Sequence, residues 1–234
     1  MSDIFDITVT VTTDELSGSV DADTLTGTDD DEIMFGFDGR DILSALGDDD
    51  VVYGNAGMDS LSGGSGEDTL YGGQDDDLVW GGDGDDVLVG GRNSDSGITI
   101  IDGEVIFVTG RDTLDGGAGD DIAYGNQGDD QILGSAGDDT LYGGQDDDTL
   151  SGGADDDYLV GGLGSDAFVF AAVDEDRDTI ADFDVTADRI LIASGNAVSN
   201  RLDLGDDAVI RLSSGTRITL IGVDDPDAVS VALF

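Results

Sequence analysis

The chain has no cysteine, no histidine and no lysine, and its 234 residues include a single proline, Pro226. Without cysteine no disulfide can staple the fold, whichever compartment it occupies. Without cysteine and histidine there is no thiolate or imidazole zinc site, no cysteine nucleophile and no Ser-His-Asp triad, which removes most familiar hydrolases. Basic residues are scarce too: eight arginines stand against 55 acidic residues, for a formal charge of −47. Nucleic acid is therefore a poor partner, because neutralising phosphates takes clustered lysine and arginine, and this field repels them. No apolar run approaches the roughly 18 residues of a transmembrane segment. The N-terminal MSDIFDITVTVTTDEL has neither the basic stretch nor the unbroken apolar stretch of a cleaved signal peptide.

A chain this acidic is either disordered or bound to many cations, since crowded like charges weaken the compact state. Its hydrophobic content of 38% favours the second, because leucine, valine and isoleucine recur at a fixed interval of nine. Gly63-Gly64-Ser65-Gly66-Glu67-Asp68-Thr69-Leu70-Tyr71 is followed directly by a copy at Gly72 to Trp80 and another at Gly81 to Val89. In this frame the sixth position reads Asp23, Glu32, Asp41, Asp50, Asp59, Asp68, Asp77, Asp86 and Asp95 without a slip. After an interruption it resumes as Asp112, Asp121, Asp130, Asp139, Asp148, Asp157 and Asp166. The eighth position is apolar from Leu25 and Met34 to Leu88, and again from Leu114 to Leu159 and Phe168.

Six residues rich in glycine and aspartate make a turn, since glycine takes φ > 0 freely and aspartate tolerates it. The next three make a short strand whose middle residue faces one way and whose flanks face the other. One apolar residue per strand stabilises nothing alone, so two repeats must form a coil and the coils must stack into a solenoid with two parallel sheets. Stacking lines up one carboxylate per turn within a few ångströms of the next. A hard divalent cation relieves that conflict, because Ca²⁺ takes six to eight oxygen ligands, carboxylates and backbone carbonyls included.

This glycine-rich nonapeptide resembles that of the RTX (repeats-in-toxin) proteins, over about residues 18–169. The resemblance implies an all-β fold, a right-handed parallel β-roll with 18 residues per coil. It implies calcium between turns on the same edge, held by the sixth-position residues named above. Carbonyls would come from Gly63, Gly64, Gly72, Gly73, Gly81, Gly82, Gly116, Gly117, Gly143, Gly144, Gly152 and Gly153. Filling every site would take roughly twelve ions. The earliest repeats are the least regular, with Glu32 in the ligand position and Phe37 and Leu46 where the second glycine belongs.

The chain divides into an N-terminal capping strand (1–17), a first repeat block (18–95), a hairpin insertion (96–111), a second block (112–169) and a C-terminal β cap (170–234). The insertion, SGITIIDGEVIFVTG, sets two β-branched runs around Asp102-Gly103, a favoured two-residue turn. It is expected to replace one coil, so that Asp112 stacks on the edge of Asp95 and Tyr71 shares a sheet with Tyr142. Ile98, Ile100, Val105 and Phe107 offer a candidate apolar contact surface. Asp178 to Phe183 and Asp188 to Ile190 resemble the cap of serralysin-like RTX proteins, an end that in the family also carries an uncleaved type I secretion signal.

Fewer than twenty residues precede the repeats and about sixty-five follow them, so no catalytic domain is expected. The functional expectation is a secreted, non-enzymatic protein that folds outside the cell on binding calcium. Alternatives are a calcium-dependent surface-layer, filament or matrix component, and a polysaccharide lyase or epimerase. The second suits the repeats poorly, with only Arg40, Arg92 and Arg111 available there to neutralise a uronate. Expected partners are calcium, with self-association or a surface polysaccharide left open.

Overall fold

The computed structural model describes residues 15–91, 99–101, 104–106, 111–170, 176–194 and 196–234, without the side chains of 99–106. Asp95, the Asp102-Gly103 turn, Ile98, Phe107 and the alternating N-terminal run lie outside these residues. The side chains of Ile100 and Val105 also lie outside the description.

Strands of one coil lie on strands of the next in parallel. Thr69, Leu70 and Tyr71 pair with Val87, Leu88 and Val89, eighteen residues on, so each eighth position sits on an eighth position. Strand alternation sends that residue inward: Leu70 and Leu88 are fully buried, and the same holds from Met34 to Phe168. Coils of about 18 residues stack for about nine turns between two sheets. One has 12 strands and carries the tyrosines; the facing sheet has 10. Among the described residues there is no helix, hence none long and apolar enough to cross a membrane.

The strands are longer than the repeat suggests. Thr69–Gln74 spans six residues, and Gly73 and Gln74, expected in a turn, belong to the strand, with Gly73 opposite Gly91. Gly73 at φ +119° bends the chain while neighbouring residues keep their backbone groups paired with the next coil. At this second position Phe37, Leu46, Asn55, Asn126 and Ser135 also adopt positive φ, from 76° to 91°, held there by the stack. The roll also begins earlier than residue 18, since Glu15–Ser17 pairs with Ile33 to Phe35 and buries Leu16 on the same core.

At the insertion, Thr113 and Leu114 pair with Leu78 and Val79, 35 residues earlier rather than 18. Ile122 and Ala123 likewise lie on Val87 and Leu88. The 17 extra residues leave and return without breaking either sheet. Asp112 follows Asp77 on its ladder, the edge to which the strict frame assigns Asp95, which itself lies outside the described residues, and Tyr71 and Tyr142 share a sheet. Thr99–Ile101 and Glu104–Ile106 form the expected antiparallel pair, with two residues between them. Tyr53 stacks on Tyr71 and Tyr124 on Tyr142, ring centroids 4.9 Å apart in both cases.

The C-terminal part extends both sheets before ending them. Arg177–Ile180 and Arg217–Ile221 continue the tyrosine sheet in parallel, then Asp207–Leu212 and Val198–Asp203 add to it antiparallel. Ile180, Ile190, Ile210, Ile218 and Leu220 carry the core to this end. The facing sheet continues in parallel through Arg189–Ile192 to Val231–Leu233, so apolar cap residues cover the end of the repeat core.

Candidate metal centre

Each sixth-position aspartate precedes a strand, so its side chain stands at a sheet corner beside the same residue of the neighbouring coils. Asp77 Oδ1 accepts the Asp59 N–H at 2.9 Å, and Asp59 Oδ1 accepts that of Asp41 at 2.8 Å. The bond repeats along two ladders. One edge runs Asp23, Asp41, Asp59, Asp77, Asp112, Asp130, Asp148, Asp166 and Asp188. The other runs Glu32, Asp50, Asp68, Asp86, Asp121, Asp139, Asp157 and Asp178. Asp112 takes the Asp77 N–H at 2.8 Å, the position the strict frame gives to Asp95.

Asp178 and Asp188 were absent from the sequence-derived ligands. They sit 21 and 22 residues beyond Asp157 and Asp166, so the nine-residue frame misses them, although their cap motifs were visible. Each is nearly buried, at 4% and 6% exposure.

The second carboxylate oxygen has no such bond. Oδ2 is buried without a hydrogen-bond partner at eleven aspartates: 41, 50, 59, 68, 77, 86, 121, 130, 139, 148 and 157. Ten of these oxygens, all but that of Asp50, whose repeat opens on Ala45, face the first glycine of their own repeat, where the absence of a Cβ leaves space. A Cβ on Gly72 would fall 2.6 Å from Asp77 Oδ2 and 2.6 Å from the Gly90 carbonyl oxygen of the next coil. Gly36 stands in the same relation to Asp41 Oδ2 at 2.6 Å and the Gly54 carbonyl at 2.7 Å. Gly63, Gly81 and Gly143 repeat it with Asp68, Asp86 and Asp148, while Gly116 and Gly152 face the Oδ2 of Asp121 and Asp157.

Of the second-position glycines, Gly64, Gly73, Gly82 and Gly144 turn their carbonyls forward onto Gly82, Gly91, Gly117 and Gly162. Gly117 and Gly153 occupy the same register, each receiving the carbonyl of the coil before, from Gly82 and Ser135. Fourth-position carbonyls, missed from sequence, do the same: Gly66 faces Gly84, and Gly84 faces Gly119. Their signal was the recurring glycine or aspartate there, and Asp48, Asp75, Asp146 and Asp155 all hold φ near 60–80°.

Leaving so many carboxylates buried raises their proton affinity. Burial, partly offset by the backbone hydrogen bond and reinforced by neighbouring carboxylates, pushes Asp77 up to about 9 and Asp148 and Asp157 to about 8. Asp50, Asp86, Asp130 and Asp139 rise to about 7 for the same reasons. Nowhere among the described residues do three acidic side chains converge, so any cation here would draw most of its shell from carbonyls. An all-oxygen donor set of carboxylates and peptide carbonyls, without nitrogen or sulfur, fits a hard divalent ion such as Ca²⁺.

The end rungs differ. Asp23 and Glu32 take the N–H of Ser19 and Thr28 from their own turns, and the Thr28 hydroxyl also bonds Glu32. Asp188 takes the Asp184 N–H at 2.8 Å in the same i to i+4 manner.

A family model described as the RTX calcium-binding nonapeptide repeat (4 copies) matches residues 10–36, 35–70, 62–96, 108–141 and 133–168. Together these spans exceed half of the chain. The chain has no match among curated proteins. Among solved structures, the extracellular lipase LipA from Serratia marcescens aligns over 94% of this chain at 19% identity and a TM-score of 0.36. This chain spans 40% of the lipase's length. The AlgE6R3 subunit of the Azotobacter vinelandii mannuronan C5-epimerase aligns over 64% of this chain and 77% of its own, at 25% identity and a TM-score of 0.30.

Proposed function

The chain belongs to the family of RTX calcium-binding nonapeptide repeat proteins, and from that premise we propose that it is a secreted, non-enzymatic protein whose folding is driven by calcium. The observation that carries this reading is the run of eleven buried, unpartnered carboxylate oxygens, eight of them beside a glycine that also meets a backbone carbonyl of the next coil. A buried unpaired carboxylate is costly, and eleven in one thin core would not persist without compensation.

The residues that would hold the ions are the aspartates from Asp41 to Asp157 on both ladders, with first-, second- and fourth-position carbonyls. Calcium bound there would supply two positive charges per site and a hard coordination shell for the stranded oxygens. One ion per stranded oxygen gives eleven and reduces the charge from −47 to about −25. The chain's own part is to fix each carboxylate through Oδ1, so that Oδ2 is presented at one height per coil.

Binding free energy is then folding free energy. In low cytosolic calcium the chain remains unfolded and fit for export; in millimolar calcium outside the cell it folds. Far-UV circular dichroism tests this: β signal is expected with calcium and lost in EGTA, and an unchanged signal in EGTA would overturn the reading. Calcium counting by equilibrium dialysis should approach eleven, and the protein should appear in the culture medium of its producing cell.

A further inference from the structure

Three of the chain's eight arginines lie in one row. Arg177 pairs with Arg217 across parallel strands, and Arg217 with Arg211 across antiparallel ones. Their inward neighbours Ile218 and Ile210 are in the core, so the row is on the outer face of the tyrosine sheet. Like charges directly opposed on neighbouring strands are destabilising. Yet with 55 acidic residues in the chain, the only ion pair among the described residues is elsewhere, Arg111 with Asp129 at 3.1 Å. Arg217 Nε is moreover buried without a partner. Nothing in calcium binding uses these side chains.

The row continues a second feature. On the edge that enters the tyrosine sheet, the fifth-position acids form an exposed outer rail. Asp120 Oδ1 accepts the Asp138 N–H at 2.9 Å, Asp138 that of Asp156 at 3.0 Å, and Asp156 that of Arg177 at 2.9 Å. Asp120, Asp138, Asp156, Arg177, Arg217 and Arg211 therefore stand on consecutive rungs, three acids and then three bases. Rungs of a sheet are about 4.8 Å apart, so the two halves have the same period.

We propose that this line is a self-association site, in which the arginine row takes the acidic rail of a second copy of the chain. A twofold axis between the Asp156 and Arg177 rungs would set Arg177, Arg217 and Arg211 against Asp156, Asp138 and Asp120 of the other copy, twice over, as an isologous contact requires. Guanidinium suits this role, because its planar fork matches a carboxylate in two-point contact. The proposal rests on the calcium reading in one respect: a loaded roll repels its copy less than a charge of −47 does.

Sedimentation equilibrium of the full chain in millimolar calcium and low salt should give a dimer that dissociates as sodium chloride is raised. The triple variant Arg177→Gln, Arg211→Gln, Arg217→Gln should need on the order of tenfold more protein to associate. Asp120→Asn, Asp138→Asn, Asp156→Asn should do the same, and mixing the two variants should restore part of the association through one intact half. Circular dichroism in calcium separates this from a failure of folding, with the exposed Arg211→Gln as the milder variant if a triple one does not fold. A monomeric wild type at the highest concentration would overturn the proposal. So would a triple variant that associates like wild type, or capture of a polyuronate by the arginines of a protein that stays monomeric.

Discussion

The middle and the ends of the aspartate ladders use one side-chain type in two ways. From Asp41 to Asp157, eleven carboxylates bond a backbone N–H through Oδ1 and leave Oδ2 stranded. At Asp23, Glu32 and Asp188 the carboxylate is claimed by an N–H four residues earlier in its own turn. The difference lies in the turn. Where the second and fourth positions take positive φ, the carbonyls swing toward the next coil and the local N–H is not offered to the carboxylate. Ser19 and Thr28 stand outside that set of positive-φ residues, and their turns close on themselves. Middle turns thus leave one carboxylate oxygen without a hydrogen bond, and these three end turns satisfy theirs locally.

Removing calcium tests the comparison most severely. In EGTA at neutral pH the middle coils should lose their β signal together, as one cooperative transition seen by circular dichroism. A partial, graded loss would mean the coils are independent of the stranded oxygens.

Acid should act in the opposite direction on the calcium-free chain. Folded-state values of about 9 for Asp77 and about 8 for Asp148 and Asp157 lie above the ordinary 3.8, so forming the roll takes up protons. Calcium-free stability is then fully present below pH 3.8 and lost as pH rises through about 6 to 9. β signal should therefore appear in EGTA on acidification toward pH 4. With calcium present the trend reverses, because binding needs ionised carboxylates, and affinity should fall with pH in a calcium titration.

Single substitutions refine the contrast. Leu70→Ala, fully buried in the middle of the core, should cost about 2–5 kcal/mol in denaturant unfolding of the loaded protein. Asp77→Asn should lower the number of bound ions and weaken folding in calcium, yet favour the calcium-free roll at neutral pH by removing a buried charge. Asp23→Asn should change neither count nor sign, and equal effects at the two positions would erase the distinction. The smallest effect belongs to Thr28→Ala, about 1 kcal/mol from the loss of an end-turn hydrogen bond, with calcium stoichiometry unchanged.

Much of the middle was legible in the sequence, because a strict period of nine fixes at once which residue is buried, which is a carboxylate and which neighbours stack. Reading the insertion as a hairpin correctly placed Tyr71 and Tyr142 on one sheet. Where the period changes, so does what can be read. Asp178 and Asp188 keep the ladder at spacings of 21 and 22, which only their backbone partners reveal. The arginine row depends on cross-strand register in a non-repeating region, where no local pattern sets Arg211 opposite Arg217. Phe37 and Leu46 looked like weak points for calcium, yet their coils adopt the repeat's geometry and Asp41 and Asp50 keep their stranded oxygens. The stack imposes a conformation that those side chains alone would resist.

At the insertion, the chain departs after Gly91 and is back in register by Arg111, with Thr113 on Leu78 as though nothing had intervened. Both sheets keep their pairing straight across that point, so the register of the roll does not depend on what lies between. Such a point is a natural graft site: a foreign loop or small domain spliced between Gly91 and Arg111 would join the scaffold at one fixed rung of each sheet.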